Sequence, residues 1–489
     1  MLIAFVFLYL LLSVAVGLVA ATRVHNTRDY VMAGRSLPLF VVMAMVFATW
    51  FGSETVLGIP ARFMEEGLGG IVEDPFGAAS CLILVGFFFA ALLYRKNLLT
   101  IGDYYRLRYN HTIELLSSLA IVLSYLGWVA AQLTALGLVF SVVTAGTEWE
   151  MSMAMGIMVG AGIVLVYTLF GGMFSVAWTN ALQMVVIVIG LFYIAWILAD
   201  KAGGVMPVIE HASAAGKFDF WPEPSTAEVL AFIGAAVTLM FGSIPQQDVF
   251  QRVNSARTER IAVVGTVMGG VLYLLFAFVP IFLAYAALLI EPAMVEAHLG
   301  DDAQKILPDI IIGHTPVFAQ IVFFGALLSA IMSTAASTLL APSVTITENI
   351  LKGFLKKELT DRQFLLTLRS IVVIFAICVT LFALKSDSSI YEMVGAAYTV
   401  TLVSAFVPLV AGLYWRRATS QGALCAILAG VGVWLLLGFV LPAMDLVFMD
   451  DIWPPQLAGL LAAIAGMVAG SLLPQVYAPG SGHPEPAGN

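Results

Sequence analysis

The sequence predicts an all-α polytopic membrane protein of about thirteen transmembrane helices, and three observations predict it. The 489-residue chain is 61% hydrophobic and only 11% charged, with a mean hydropathy of +0.98, whereas about a quarter of an ordinary soluble domain is charged. Apolar runs long enough to cross a bilayer recur from end to end. Basic residues gather on alternate connections between those runs, as cytoplasmic loops require. A formal net charge of −9 offers no basic surface for nucleic acid. Cys81, Cys378 and Cys425 are lone thiols in apolar runs, which excludes a disulfide scaffold.

The first run, Leu2–Ala21, has no basic residue ahead of it and meets its first positive charge, Arg23, behind it. It is expected to be a retained span with its N-terminus outside rather than a signal peptide, making residues 1–22 an extra N-terminal helix. Further apolar stretches cover 38–60, 70–94, 113–145, 151–170, 175–199, 228–250, 259–290, 316–348, 366–386, 389–415, 420–443 and 455–475. Of the 22 Lys and Arg, all but Arg62, Lys201, Lys217, Lys305 and Lys385 fall on one set of alternate loops, with Arg252, Arg257 and Arg260 among them. That asymmetry predicts the C-terminus inside. The opposite loops, Asp200–Glu228, Glu291–Asp309 and Asp445–Asp451, are acidic solvated surfaces with a mild cation-attracting field. The Pro- and Gly-rich tail, 476–489, is predicted to be disordered.

Two spans contain Gly/Pro interruptions at mid-run. The second reads Ala48-Thr49-Trp50-Phe51-Gly52-Ser53-Glu54 and then Gly58-Ile59-Pro60; the seventh reads Met240-Phe241-Gly242-Ser243-Ile244-Pro245-Gln246-Gln247. Backbone in hydrocarbon must satisfy its own hydrogen bonds, so such interruptions usually line a cavity. Gly and Pro are also common in membrane helices, which explains either break taken singly. Each break, however, opens a run of five spans, and a matched pair at that spacing points to an inverted-repeat carrier with its site at the midplane. The halves are then 38–199 and 228–415, followed by two C-terminal helices in 420–475.

The ninth span carries five hydroxyls within Ser329–Thr338, with Ser329, Ser333 and Ser337 along one face and Thr334 at its edge. Small hydroxyl residues also pack helices closely. Two hydroxyls here, with carbonyls freed by the broken second span, would supply the neutral oxygens that a dehydrated alkali cation needs.

At these residues the chain resembles the sodium/solute symporter family, and within it the high-affinity choline transporter branch, over roughly residues 5–440. The resemblance rests on the Ala48-Thr49-Trp50 centre of the second span, Tyr167-Thr168-Leu169-Phe170-Gly171-Gly172-Met173 with Trp178-Thr179-Asn180 and Gln183, Gly242-Ser243-Ile244-Pro245 followed by Phe250-Gln251-Arg252-Val253, and Met332-Ser333-Thr334. It implies a leucine-transporter-like fold of two inverted five-helix repeats and sodium-coupled alternating access. It also implies a principal sodium site on the carbonyls of Ala48, Phe51 and Ala330 and the hydroxyls of Ser333 and Thr334. A second sodium site, present in some members, would fall on Asn180 and Ser337. Asn180 stands where those members have Asp, and Ala336 lacks the further oxygen, so one sodium per cycle is expected, with a weaker second site as the alternative.

The resemblance further implies an aromatic cage for a quaternary ammonium, with Trp50 and Trp128 matching two walls and Gln246 replacing the third. Gln246 would offer a donor and an acceptor to a carboxylate, hydroxyl or amide. Ser53 is expected beside this pocket, and Glu54 is a counter-ion or titrating group unless it faces an outer vestibule or pairs with Arg62.

The expected function is sodium-coupled symport of a small organic solute, a choline-like quaternary amine or an amino-acid-like zwitterion. The expected setting is the plasma membrane, as a multi-pass protein of a bacterial inner membrane, in contact with lipid and with no requirement for an oligomer. Rival readings are a carrier driven by protons through Glu54, a solute sensor reporting to a separate protein, and an ion channel. An intramembrane enzyme is disfavoured: the sequence has no HExxH, GxSxG or Walker motif, and its six His fall in loops or at span ends.

Overall fold

A computed structural model describes residues 2–300, 302–354, 359–444 and 452–476. The predicted tail, 476–489, therefore lies outside the described residues except for Val476, as do residues 445–451. The described residues are predominantly helical. Among the described residues the only bridge between extended segments is Leu37 with Ala256.

Among the described residues, nine helices are long and apolar enough to cross a membrane: α3 (Val72–Lys96), α4 (His111–Thr144), α6 (Gly171–Lys201), α8 (Glu259–Ile290), α9 (Val317–Phe354), α10 (Asp361–Ala383), α11 (Ile390–Tyr414), α12 (Ser420–Ala443) and α13 (Pro455–Leu472). Two bent pairs qualify when each is taken as one span. These are α2a and α2b (Leu39–Trp50 and Glu54–Gly70, bent by 55°) and α7a and α7b (Thr226–Gly242 and Gln247–Ser255, bent by 47°). The expected count of about thirteen also needs two shorter apolar helices, α1 (Leu2–Ala21) and α5 (Met153–Val166).

The boundary between α5 and α6 has a local cause. Gly172 takes φ 51° and ψ −158°, and a Cβ there would lie 2.7 Å from the Tyr30 carbonyl oxygen. Only glycine accommodates both constraints. The second span runs past residue 60, because α2b continues to Gly70 with Arg62 and Glu66 paired at 2.9 Å on its surface.

The two broken spans are held together at one end. Leu37 N–H donates to the Ser255 carbonyl at 3.1 Å, and Arg257 N–H donates to the Leu37 carbonyl at 3.0 Å. The start of α2 therefore meets the end of α7, so the two run in opposite senses from a shared face, as an inverted pair must. Around them α4 packs on α11, α9 on α5 and α6, and α8 on α2a. The N-terminal α1 lies outside this core against α6 and α9, where Tyr9 hydrogen-bonds Ser329. Ser329 thus faces α1.

Candidate functional site

The bend in α2 frees its last carbonyls. In an unbroken helix the Thr49 carbonyl would accept from Ser53 N–H. Here Ser53 N–H donates to Gln132 Oε1 at 3.0 Å, and the Thr49 carbonyl accepts from Thr334 Oγ1 at 2.8 Å. Ser333 Oγ reaches the Ala48 carbonyl at 2.5 Å and the Ala330 carbonyl at 2.8 Å, and Thr334 Oγ1 also lies 3.4 Å from the Ala48 carbonyl. Phe51 caps α2a with φ −86° and ψ 73°, the first residue off helical geometry. Ala48, Ala330, Ser333 and Thr334 thus converge as neutral oxygens, with Phe51 at the break beside them. Thr49 joins them, and the sequence reading missed its carbonyl. This donor set has the hard, uncharged oxygens that suit an alkali ion.

Gly52 closes the gap between this cluster and the next. A Cβ there would sit 2.7 Å from Glu54 Oε2, 2.8 Å from Thr334 Oγ1 and 3.0 Å from Gln132 Oε1. Glu54 is buried, and its carboxylate accepts from Gln132 Nε2 at 2.7 Å, Trp128 Nε1 at 3.3 Å and Ser53 Oγ at 3.4 Å. It does not pair with Arg62, whose partner is Glu66. Gln132 lies one helical turn beyond Trp128, a spacing that marks it in retrospect.

The aromatic residues meet, with a wall the sequence reading did not name. Trp50 stacks on Tyr398 at 5.9 Å and 14°, Trp128 approaches Tyr398 at 5.3 Å, and Trp50 meets Trp128 edge-on at 5.8 Å. Tyr398 of α11 completes the three-ring box. Gln246 is committed elsewhere: its amide nitrogen donates to Ser124 Oγ at 2.9 Å and Thr401 Oγ1 at 3.2 Å, and its carbonyl accepts from Ser124 Oγ at 3.3 Å. It fastens the α7 break to α4 and α11.

Asn180 and Ser337 converge on one atom. Asn180 Nδ2 donates to Thr49 Oγ1 at 3.2 Å, and Thr49 Oγ1 donates to Ser337 Oγ at 3.4 Å. The Arg252 guanidinium reaches the same oxygen through Nε at 3.0 Å and Nη2 at 2.6 Å. Arg252 was expected on an inner loop, and that expectation is corrected. It is 1% exposed and pairs with the buried Asp248 at 3.3 Å. Their separation of four residues on the polar face of α7b is the signal that was available. Tyr125 Oη donates to Asp248 Oδ1 at 2.5 Å while its ring stacks on Trp128 at 6.0 Å, so the ion pair and the ring box share a neighbour.

Two broken helices crossing a core of long helices, with an oxygen cluster and a ring box at the breaks, define a secondary transporter of the leucine-transporter-like fold. The fold matches a Na+-coupled sialic acid symporter solved in a substrate-bound outward-open state, with a TM-score of 0.79, 21% identity and 98% of both chains covered. The model of the sodium:solute symporter family matches residues 30–430, and the chain belongs to that family. It is 26% identical over 455 residues to the human high affinity choline transporter 1, covering 88% of this chain and 75% of that one. It is 25% identical to the sodium/glucose cotransporter of Vibrio parahaemolyticus, covering 87% and 82%.

Proposed function

We propose that the sodium ion of this symporter is held by the carbonyls of Ala48, Phe51 and Ala330 and the hydroxyls of Ser333 and Thr334, and that the solute sets a cationic group against Trp50, Trp128 and Tyr398. The chain is a multi-pass membrane protein that couples solute movement to sodium by alternating access; it is a transporter and not an enzyme. The observation that carries the site assignment is the pair of α9 hydroxyls donating to α2a carbonyls that the bend has released. Sodium replacing those hydroxyl protons as the carbonyls' partner would fix the end of α2a and with it Trp50, so each ligand raises the other's affinity.

Ser53 and Glu54 border the ring box, and Gln246 shapes it from behind through Ser124 and Thr401. The relatives named for choline support a solute carrying an ammonium group, which ring faces attract. One sodium per cycle is supported by Arg252, because its guanidinium on Thr49 Oγ1 occupies the neighbourhood of Asn180 and Ser337 where a second ion would meet like charge. The N-terminus outside and a bacterial inner membrane complete the reading, with no oligomer required. Moving one charge through 100 mV releases about 2.3 kcal/mol, enough for roughly 50-fold accumulation of a neutral solute at about 1.4 kcal/mol per tenfold.

The test is uptake of radiolabelled choline and proline into vesicles holding the purified chain, with inward sodium or potassium gradients. Uptake of either that follows sodium alone supports the assignment. Equal uptake in both gradients refutes it.

A further inference from the structure

Buried carboxylates outnumber buried cations beside the ring box. Asp74 accepts from Tyr273 Oη at 2.5 Å. Glu73 Oε1 is buried without a hydrogen-bond partner, close enough to α11 that a Cβ on Gly395 would lie 2.9 Å from it. Tyr391, Val394, Gly395 and Tyr398 share one face of α11 by their spacing, and three cavities meet that face at Tyr391. One is a groove of about 520 Å³ whose lining includes Arg62, Glu65, Asp387, Tyr391 and Glu392. A second, of about 410 Å³ and more open to the surface, shares Arg62, Tyr391 and Glu392 and adds Glu73 and Gly395, with Trp434 of α12 and Pro455 of α13 on its other side. The third is a gap too narrow for water that shares Glu73, Tyr391 and Gly395 with the second and adds Glu54 and Asp74.

Among the described residues lining the second and third cavities, Glu54, Glu73 and Asp74, with the exposed Glu392, are accompanied by Arg62 as the single cation. Arg62 is already paired with Glu66 and lies 5.9 Å from the Tyr391 ring. Asp248, across the box, is neutralised by Arg252. A second observation lies in the ring box, which Glu54 joins to this cluster by accepting from Trp128 Nε1. Trp50 Nε1 and Tyr398 Oη, on residues 2% and 1% exposed, are buried with no hydrogen-bond partner.

Resting on the ring box proposed above, we infer that these carboxylates and the box together form the recognition surface for a protonated primary or secondary amine that also carries an oxygen acceptor. Ring faces alone satisfy a quaternary head, which has no proton to give. The unpartnered Glu73 Oε1 requires a donor, and an ammonium N–H group supplies one in a charge-assisted bond. The indole N–H of Trp50 and the hydroxyl of Tyr398 require an acceptor, which a hydroxyl oxygen on the same solute provides.

Ethanolamine and choline differ only in methylation of the nitrogen and therefore isolate the claim. The measurement is the melting temperature of the purified full chain, titrated with each compound in sodium and in potassium buffer. Ethanolamine is expected to stabilise the protein in sodium at a concentration at least tenfold below that of choline. Glu73→Gln, which removes a charge whose Oε1 makes no bond in the protein, is expected to erase that preference while leaving stabilisation by sodium alone unchanged. Tyr398→Phe, which keeps the ring, is expected to weaken ethanolamine severalfold. Choline binding as well as or better than ethanolamine, no binding of either, or a preference that survives Glu73→Gln overturns the inference. Ethanolamine acting identically in potassium and sodium would instead remove the sodium-coupled box beneath it.

Discussion

Thr334 Oγ1 donates to the Thr49 carbonyl at 2.8 Å, across the point where α2 breaks. The amide that would have claimed that carbonyl, Ser53 N–H, is held by Gln132, whose own amide nitrogen holds Glu54. The proposed ion and solute sites therefore lie on two short hydrogen-bonded segments that meet at the break: Thr334 with Thr49 on one side, and Ser53, Gln132 and Glu54 on the other.

Removing a hydroxyl should strike the ion site first. Ser333→Ala and Thr334→Ala are each expected to abolish sodium-stimulated uptake, or to raise the sodium concentration for half-maximal uptake by at least about tenfold, equivalent to about 1.4 kcal/mol. Each side chain forms about one net-stabilising hydrogen bond, of roughly 1 kcal/mol, so the fold should survive. Sodium titration of uptake, with the amount of folded protein measured by gel filtration, tests this; unchanged sodium dependence in both variants removes the assigned ion site.

Gly52→Ala should separate the two segments. The added methyl would press on Glu54, Thr334 and Gln132 together, and overpacking of this kind costs about 1–3 kcal/mol. The expected result is a lower melting temperature together with loss of sodium-dependent solute binding. A variant that melts and transports like the parent would show that the approach is not tight.

Tyr398→Ala is expected to weaken binding of a cationic solute by roughly tenfold or more, since one desolvated ring wall contributes about 1–2 kcal/mol. Tyr398→Phe retains the ring and should lose less. Isothermal titration in sodium buffer distinguishes them, and equal losses in the two variants would place the effect in the hydroxyl alone.

The buried pair of Asp248 and Arg252 should behave as a unit. Asp248→Asn or Arg252→Gln alone leaves one buried charge uncompensated, a loss of about 3–5 kcal/mol. The double variant is expected to be less destabilised than the sum of the singles. Thermal melting of the three variants measures the coupling, and strict additivity would contradict it.

The two breaks were legible because Gly and Pro interrupt otherwise unbroken apolar runs, and the hydroxyls of α9 because their spacing repeats along one helical face. Arg252 was misplaced for a physical reason. Loop charges are recognised by where hydropathy falls, and it falls at residue 247 because α7b turns a polar face inward to Asp248 and Thr49. Tyr398 gave no signal, since a Tyr within an apolar span is ordinary and its partners Trp50 and Trp128 come from distant helices. Glu73 and Asp74 fall at the start of the apolar stretch 70–94, and nothing in their spacing shows that α11 is packed against them.

The oxygens gathered at the α2 break are largely main-chain, and amino-acid replacement does not delete a peptide carbonyl. On the proposed assignment, dependence on the driving ion rests on the path of the backbone together with the hydroxyls of Ser333 and Thr334, while the rings and carboxylates proposed to read the cargo are side chains throughout. A scaffold divided in this way can change what it carries without relearning how it is powered, in keeping with one family containing relatives named for choline and for glucose.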